Sequence, residues 1–200
     1  MLDEIRDLFL HEARAVMNIP VTDAYSKALD AIHHSVHVNG GKVVVCGMGK
    51  AGQIAIGIAT TFSSTGTPAV WLHPAEAQHG DLGVVCKNDI LLLVSNSGKT
   101  REIIELVTLA KELWAHIPII VITGNPVGEL AQLADVCIET GNPAEVCALG
   151  LSPTTSTTVM SAIGDALVVQ MMKRIRFSKQ DYALRHHGGY LGQKSRGETI

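Results

Sequence analysis

Residues 41–52 read GKVVVCGMGKAG. Four consecutive apolar residues, 43–46, run into a glycine-rich turn carrying one lysine, Lys50, and then into the apolar stretch 52–62. A run that short, apolar at every position and closed by turn residues, fits a strand covered on both faces rather than one with a wet side. The unit then repeats. Strands are expected at 69–72, 90–95, 119–123 and 136–139, and helices at 52–62, 101–114, 128–133 and 155–174. Such alternation predicts an α/β fold with a doubly wound, mainly five-stranded parallel sheet flanked by helices. Upstream, Ile5, Leu8, Phe9 and Val16, then Tyr25, Leu29, Ile32 and Val36, recur at helical spacing on either side of Pro20. The second helix is expected to be capped by Thr22 and to stop at Asn39-Gly40-Gly41. No repeat or linker divides the chain, so 1–200 is expected to be one domain with N-terminal helices in 1–39 and a frayed tail at 197–200.

The helix expected at 155–174 is apolar nearly all round, with Val159, Met160, Ile163, Leu167, Val168, Val169 and Met171. It reads either as a subunit contact or as part of a thick intramolecular core, the contact being favoured. Hydrophobic residues make up 46% of the 200 against 18% charged, which leaves little polar surface and agrees with burial between subunits. A formal charge of −3 argues against nucleic acid as partner, and the basic run Lys173-Arg174-Ile175-Arg176 reads as a solvated helix end. No stretch is long enough to cross a bilayer, and charges at Asp3, Glu4, Arg6 and Asp7 interrupt any leader. The cysteines Cys46, Cys86, Cys137 and Cys147 lack CxxC spacing, and Cys46 and Cys137 read as buried reduced thiols. These features point to the cytoplasm.

Ligands of open parallel sheets bind beyond the carboxyl ends of the strands, beside helix N-termini. The turn 47–52 formally matches GxGxxG, but the second strand ends in Leu72-His73-Pro74 without the acid a dinucleotide ribose requires. Lys50 is followed by Ala51, not the hydroxyl of a nucleotide P-loop. What remains is a close-approach loop, with Gly49 beside one ammonium. The segment 95–100, SNSGKT, places hydroxyls and free backbone amides at a helix start and forms a natural phosphate cradle. Ser95, Ser97 and Thr100 are its expected ligands. The bland alternatives are a tight turn with a solvated lysine and a hydroxyl-rich helix cap. Nine histidines invite a metal reading, yet no three ligands share a fixed spacing, so neither a metal nor a cofactor is expected. His33, His34 and His37 read as surface residues, and His73 and His79 as walls of a binding pocket.

Together these stretches resemble the sugar isomerase (SIS) domain, and within it the arabinose-5-phosphate isomerases of the KpsF/GutQ type. The resemblance is carried by 41–52, by FSSTGTP at 62–68, HPAEAQHGDLG at 73–83, SNSG at 95–98, LSPTTSTT at 151–158, GDA at 164–166 and DYALRHHGG at 181–189. It implies four catalytic positions, Lys50, Glu102, Glu145 and His186, and an aldose–ketose isomerase of D-arabinose 5-phosphate and D-ribulose 5-phosphate. It implies a short form without the CBS domains that members carry, and a homo-oligomer, tetramer favoured over dimer, with a shared active site. The product would serve a cell-surface sugar acid (Kdo) or pentitol and other carbohydrate metabolism. Two positions depart from the family: His187 stands where a proline is usual, leaving His186 or His187 as the catalytic histidine, and Lys99 stands where glutamate is frequent. Lys99 would tighten phosphate binding or shift sugar preference.

The isomerisation moves a proton between C1 and C2 through a cis-enediol. Glu145 is expected to shuttle that proton with a pKa raised by partial burial. Lys50 would stabilise charge on the O1/O2 edge, His186 would act in ring opening, and Glu102 would orient Lys50 or hold a hydroxyl. Competing readings are an isomerase of a hexulose or heptose phosphate and a non-catalytic sugar-phosphate-binding module.

Overall fold

The computed structural model describes residues 1–197. Five strands, β1 (Val43–Gly47), β2 (Ala69–Leu72), β3 (Ile90–Val94), β4 (Ile119–Thr123) and β5 (Val136–Glu139), form one parallel sheet in the order β2-β1-β3-β4-β5. Each expected strand is present to within one residue. The pleat sends alternate side chains to opposite faces. Val43, Val45, Ile90, Leu92, Ile120 and Ile122 meet one layer, and Val44, Cys46, Leu91, Leu93, Ile119 and Val121 the other. The first layer is α1 (Leu2–Met17), α2 (Ala24–Ile32), α3 (Gly49–Ser64) and α7 (Thr155–Arg174). The second is α4 (Pro74–Ala77), α5 (Arg101–Leu113) and α6 (Glu129–Leu133). Two short helices, α8 (Lys179–Ala183) and α9 (Gly189–Arg196), follow. No described helix is long and apolar enough to cross a membrane.

The N-terminal ends of the strands are tied together. Asp89, just before β3, accepts the backbone N–H and the ammonium of Lys42, at 2.9 and 2.6 Å, and the N–H of Cys86 at 2.7 Å. Asp135 does the same for the N–H of Ile119 at 2.8 Å. Of the two only Asp89 is buried, and a buried carboxylate is tolerated only when paired and hydrogen-bonded in this way.

Several expectations are corrected. The residue before α2 is Asp23, not Thr22, although Thr22 Oγ1 still accepts the N–H of Ala24 at 3.3 Å. The helix runs on as a π-turn, His33–Val38, before Asn39 ends it. That wider turn brings His37 half inside, with a 3.1 Å hydrogen bond to Thr67 Oγ1, so His37 is not a free surface residue. α3 begins at Gly49 rather than at residue 52, which places Lys50 in a helical first turn and not in a loop. The tail beyond residue 197 lies outside the described residues.

α7 is packed inside one chain by α1, α2 and α3, so an intramolecular core accounts for most of its apolar character. Ala166 and Val169 are left on the outer side. The approach of α7 to α3 depends on Gly164, where an added Cβ would lie 2.4 Å from Ile58 Cγ1. Gly164→Ala gains about 1 kcal/mol of helix propensity but forces that overlap, for a net loss of roughly 1–2 kcal/mol in urea unfolding. The loss should shrink in an Ile58→Ala background, where the overlap is gone.

Candidate active site

Between β1 and β3 the connections diverge: α3 leaves β1 for one face and α5 leaves β3 for the other. A crevice opens at that switch point, beyond the carboxyl ends of the strands. It holds a cavity of about 650 Å³ lined from several elements, among them Lys50, Ser95, Ser97, Thr100, Asn142 and Glu145. Three helices start on its walls: α3 after Met48, α5 after Thr100 and α7 after Thr154. Their first-turn amides have no acceptor within the helix, and their dipoles add positive potential at one place.

The turn from β1 into α3 is shaped by its glycines. Gly49 sits at φ +58°, a left-handed backbone favouring glycine. Gly47 and Gly52 allow strand and helix to touch, since a Cβ on Gly52 would lie 2.9 Å from the Gly47 carbonyl oxygen. Lys50 rises from this turn, exposed and without an ion-pair partner among the described residues. On the β3 side, Ser95 is buried, with its Oγ 3.2 Å from Thr100 Oγ1. Asn125 Nδ2 donates to the Ser97 carbonyl at 3.0 Å, so the next loop braces this one.

Glu145 reaches the cavity from the loop after β5. Its Oε2 accepts the N–H of Thr154 at 2.8 Å, the Thr154 hydroxyl at 3.1 Å and the N–H of Ser156 at 3.3 Å. The carboxylate therefore caps α7 from outside the helix, nine residues before Thr154. Burial works to raise its pKa, but the hydrogen bonds from Ser156 and Thr154 outweigh burial and hold it below the usual value of 4.5. The expected upward shift is thus reversed in the free chain, and the group is a firmly ionised carboxylate.

The other expected residues lie off the cavity lining. Gly49 shapes the turn without facing the cavity. Glu102 is half-buried in the first turn of α5 and makes no side-chain hydrogen bond among the described residues. His79 is exposed in the turn after α4. His73 stands edge-on to Trp71 at 5.6 Å with its Nδ1 buried and unpaired. His186 is stacked on Tyr182 at 3.6 Å and donates from Nδ1 to the Tyr182 carbonyl at 3.0 Å. The segment carrying it docks at the opposite end of the sheet. There Phe177 covers Gly66, in the turn entering β2, and Arg185 lies over the Phe177 ring at 5.3 Å, lining a cleft with Ser63 and Ala69. His186 therefore does not reach the cavity of its own chain, and neither do Glu102 or His79. Among the described residues no three His, Cys, Asp or Glu side chains are grouped to hold a metal ion.

Several residues at or beside the cavity escaped the sequence reading. Asn96, Asn125 and Asn142 crowd its floor around Gly124, with Asn96 Oδ1 buried and unpartnered and Asn142 at φ +48°. Only the positive-φ tolerance of asparagine hinted at Asn142. Cys147, two residues past Glu145, has its Sγ 3.2 Å from the N–H groups of both Ser152 and Leu151, and these lower its thiol pKa to about 7.

The fold and the site define a class, and comparison with known proteins agrees: residues 38–170 match the SIS domain. The chain belongs to the SIS domain family, in its KdsD/KpsF-GutQ branch. It is similar to a Bacteroides fragilis NCTC 9343 protein provisionally assigned as a phosphosugar isomerase involved in capsule formation. That likeness has a TM-score of 0.94 and 62% identity, over 95% of this chain and 99% of the other. It is similar to E. coli CFT073 c3406, solved in complex with arabinose 5-phosphate, with a TM-score of 0.85 and 34% identity over 92% and 96% of the two chains. It is 45% identical over 183 residues to the arabinose 5-phosphate isomerase KdsD of Yersinia pestis, covering 92% of this chain and 54% of that protein. The chain spans about half the length of the curated relatives it matches.

Two outcomes test this geometry. Because the native Glu145 pKa is depressed, its contribution to stability is complete above the ordinary carboxylate value and fades as pH falls through the native one. The stability gap between wild type and Glu145→Gln in urea should therefore be widest near neutral pH and close progressively below about pH 4.5. Equal gaps at every pH would remove the cap as a charged interaction. Iodoacetamide should alkylate Cys147 with a rate that inflects near pH 7, ahead of Cys86. An inflection above about pH 8.5 would mean that the two amides do not hold the thiolate.

Proposed function

We propose that this chain interconverts D-arabinose 5-phosphate and D-ribulose 5-phosphate. The observation that carries the reading is the meeting of Lys50, Glu145 and the 95–100 loop on one cavity at three helix starts. The relatives' names point to the same chemistry. In this reading the phosphate sits against Ser95, Ser97 and Thr100, where amides and hydroxyls donate to a dianion. The sugar's carbonyl end then lies between Lys50 and Glu145.

The aldose-to-ketose step removes the proton from C2 and delivers one to C1, while the O2 proton is transferred to O1. Glu145 takes the carbon-bound proton and returns it. Lys50 offsets the negative charge that grows on O1 and O2 as the enediolate forms. Hydrogen moves only within the substrate and these groups, so the net reaction consumes no redox equivalent.

His186, His79 and Glu102 are assigned to completing the site in an assembly, a tetramer in preference to a dimer. The support is their absence from the cavity of a single chain and the exposed apolar side chains Leu2, Phe9 and Leu10 on α1. The SIS unit 1–200, with its N-terminal helices, is proposed as the catalytic domain. All four cysteines are free thiols, which supports a reducing compartment, the cytosol, as the site of turnover.

The test is turnover by the purified chain on arabinose 5-phosphate, beside six- and seven-carbon sugar phosphates. Lys50→Ala should lower kcat about 10²- to 10³-fold with the circular dichroism spectrum unchanged. Near-wild-type turnover in that variant would remove the electrostatic role of Lys50. A clear preference for a longer sugar phosphate would replace the substrate but keep the reaction type.

A further inference from the structure

Lys99 is a second cation on the same cavity, and the proposed proton transfer gives it no task. It stands between Gly98, at φ +62°, and Thr100, the residue that opens α5. Its own N–H donates to Ser97 Oγ at 3.2 Å, which folds the loop so that Ser97, Lys99 and Thr100 line one wall with the buried Ser95. Its ammonium has no ion-pair partner among the described residues. The acid on the cavity lining, Glu145, is taken up by the start of α7. The walls thus present two ammonium groups against one carboxylate, at a point where three helix dipoles are also positive.

That excess matches a ligand bearing two negative charges close together. Lys99 shares its loop with the hydroxyls, whereas Lys50 rises from the neighbouring strand's turn. A lysine on a flexible stem contributes a movable point charge with three donors, suited to a tetrahedral oxyanion rather than to a single sugar hydroxyl.

We propose that Lys99 is a specificity-determining ligand of this cavity: its ammonium pairs with a phosphate dianion seated against Ser95, Ser97 and Thr100. The site thereby selects phosphorylated over free sugars and the dianion over the monoanion. This rests on the phosphate position adopted under the proposed function, and it separates the two lysines by task. Lys50 acts on the reacting carbons, while Lys99 holds the far end of the substrate equally in ground and transition states. An interaction of that kind acts on KM and leaves kcat largely alone.

The experiment titrates the full chain with inorganic phosphate, followed by calorimetry, for wild type, Lys99→Gln and Lys99→Arg. Titrations are run at about pH 5.5 and about pH 8, on either side of the second ionisation of inorganic phosphate. They are repeated at low and physiological ionic strength, where the Debye length falls from about 30 to about 8 Å. Wild type should bind phosphate more tightly at the higher pH and lose affinity with salt. Lys99→Gln should bind about tenfold more weakly at the higher pH, with a flatter dependence on pH and salt, and Lys99→Arg should recover most of the loss. With sugar phosphate as substrate, KM for Lys99→Gln should rise by about the same factor while kcat changes less than about threefold.

Unchanged phosphate affinity and salt dependence in Lys99→Gln would overturn the assignment. So would a fall in kcat with KM constant. If wild type binds phosphate through Lys99 but isomerises no sugar phosphate, the assignment stands and the proposed reaction falls. If wild type binds neither phosphate nor sugar phosphate, both fall.

Discussion

In a parallel sheet each strand hands the chain to a helix at its carboxyl end, and the order of strands decides which face that helix takes. With the order β2-β1-β3-β4-β5, the neighbours β1 and β3 send α3 and α5 to opposite faces. Nothing in the backbone fills the gap between them, and both departing helices aim their unsatisfied amides into it. α7 brings a third helix start to the same gap, although no strand leads directly into it. The proposed function rests on that convergence. The cavity is positive because of how the strands are ordered, and the lysines reinforce a field the fold already supplies.

Glu145 is best understood within that field. In the free chain its carboxylate serves as the N-terminal cap of α7, and the hydrogen bonds that do this make it a weaker base than burial alone would. A catalytic base is most effective with a pKa nearer to neutrality. Filling the cavity moves it in that direction by two routes. A ligand displaces water, which strengthens the desolvation already acting as the largest single influence on the group. A phosphate dianion nearby disfavours a second negative charge. The cap thus holds Glu145 ionised and in place in the free chain, and in the proposed reaction the substrate itself would supply the perturbation that readies it for proton transfer.

The sheet was legible because short runs such as 90–94 are apolar at every position and bounded by turn residues, a pattern that depends on near neighbours alone. The 95–100 loop was legible for the same reason, as hydroxyls and glycine between a strand and a helix. What escaped the sequence depends on distant contacts. The cap of α7 comes from Glu145, whereas Thr154, a residue type usual at a helix start, makes no side-chain cap bond there, so the local signal named the wrong group. The first turn of α3 was read as loop because glycines are poor helix formers, yet Gly49 supplies the left-handed turn through which the helix begins. His186 follows a segment whose docking is settled by Phe177 on Gly66, at the far end of the sheet. Periodicity carries no record of which rim such a segment will choose.

The two rims of the sheet divide their electrostatics unequally. At the N-terminal rim, Asp89 is matched by Lys42 and the Cys86 amide, and Asp135 by the Ile119 amide. At the C-terminal rim, Lys50 and Lys99 have no acid to pair with among the described residues, Asn96 keeps a buried oxygen without a donor, and Asn142 holds a left-handed backbone. A chain selected for stability alone would distribute its pairing more evenly, since unpaired charge and strained backbone both cost free energy. Arg176, at φ +54° beside Phe177, and the buried Trp71 Nε1 and His73 Nδ1 lie off the cavity, but the deficits that do meet on it, where three helices begin, fit the ligand proposed above. The sugar phosphate of the proposed function, with concentrated negative charge at one end and hydrogen-bonding groups at the other, would complete them.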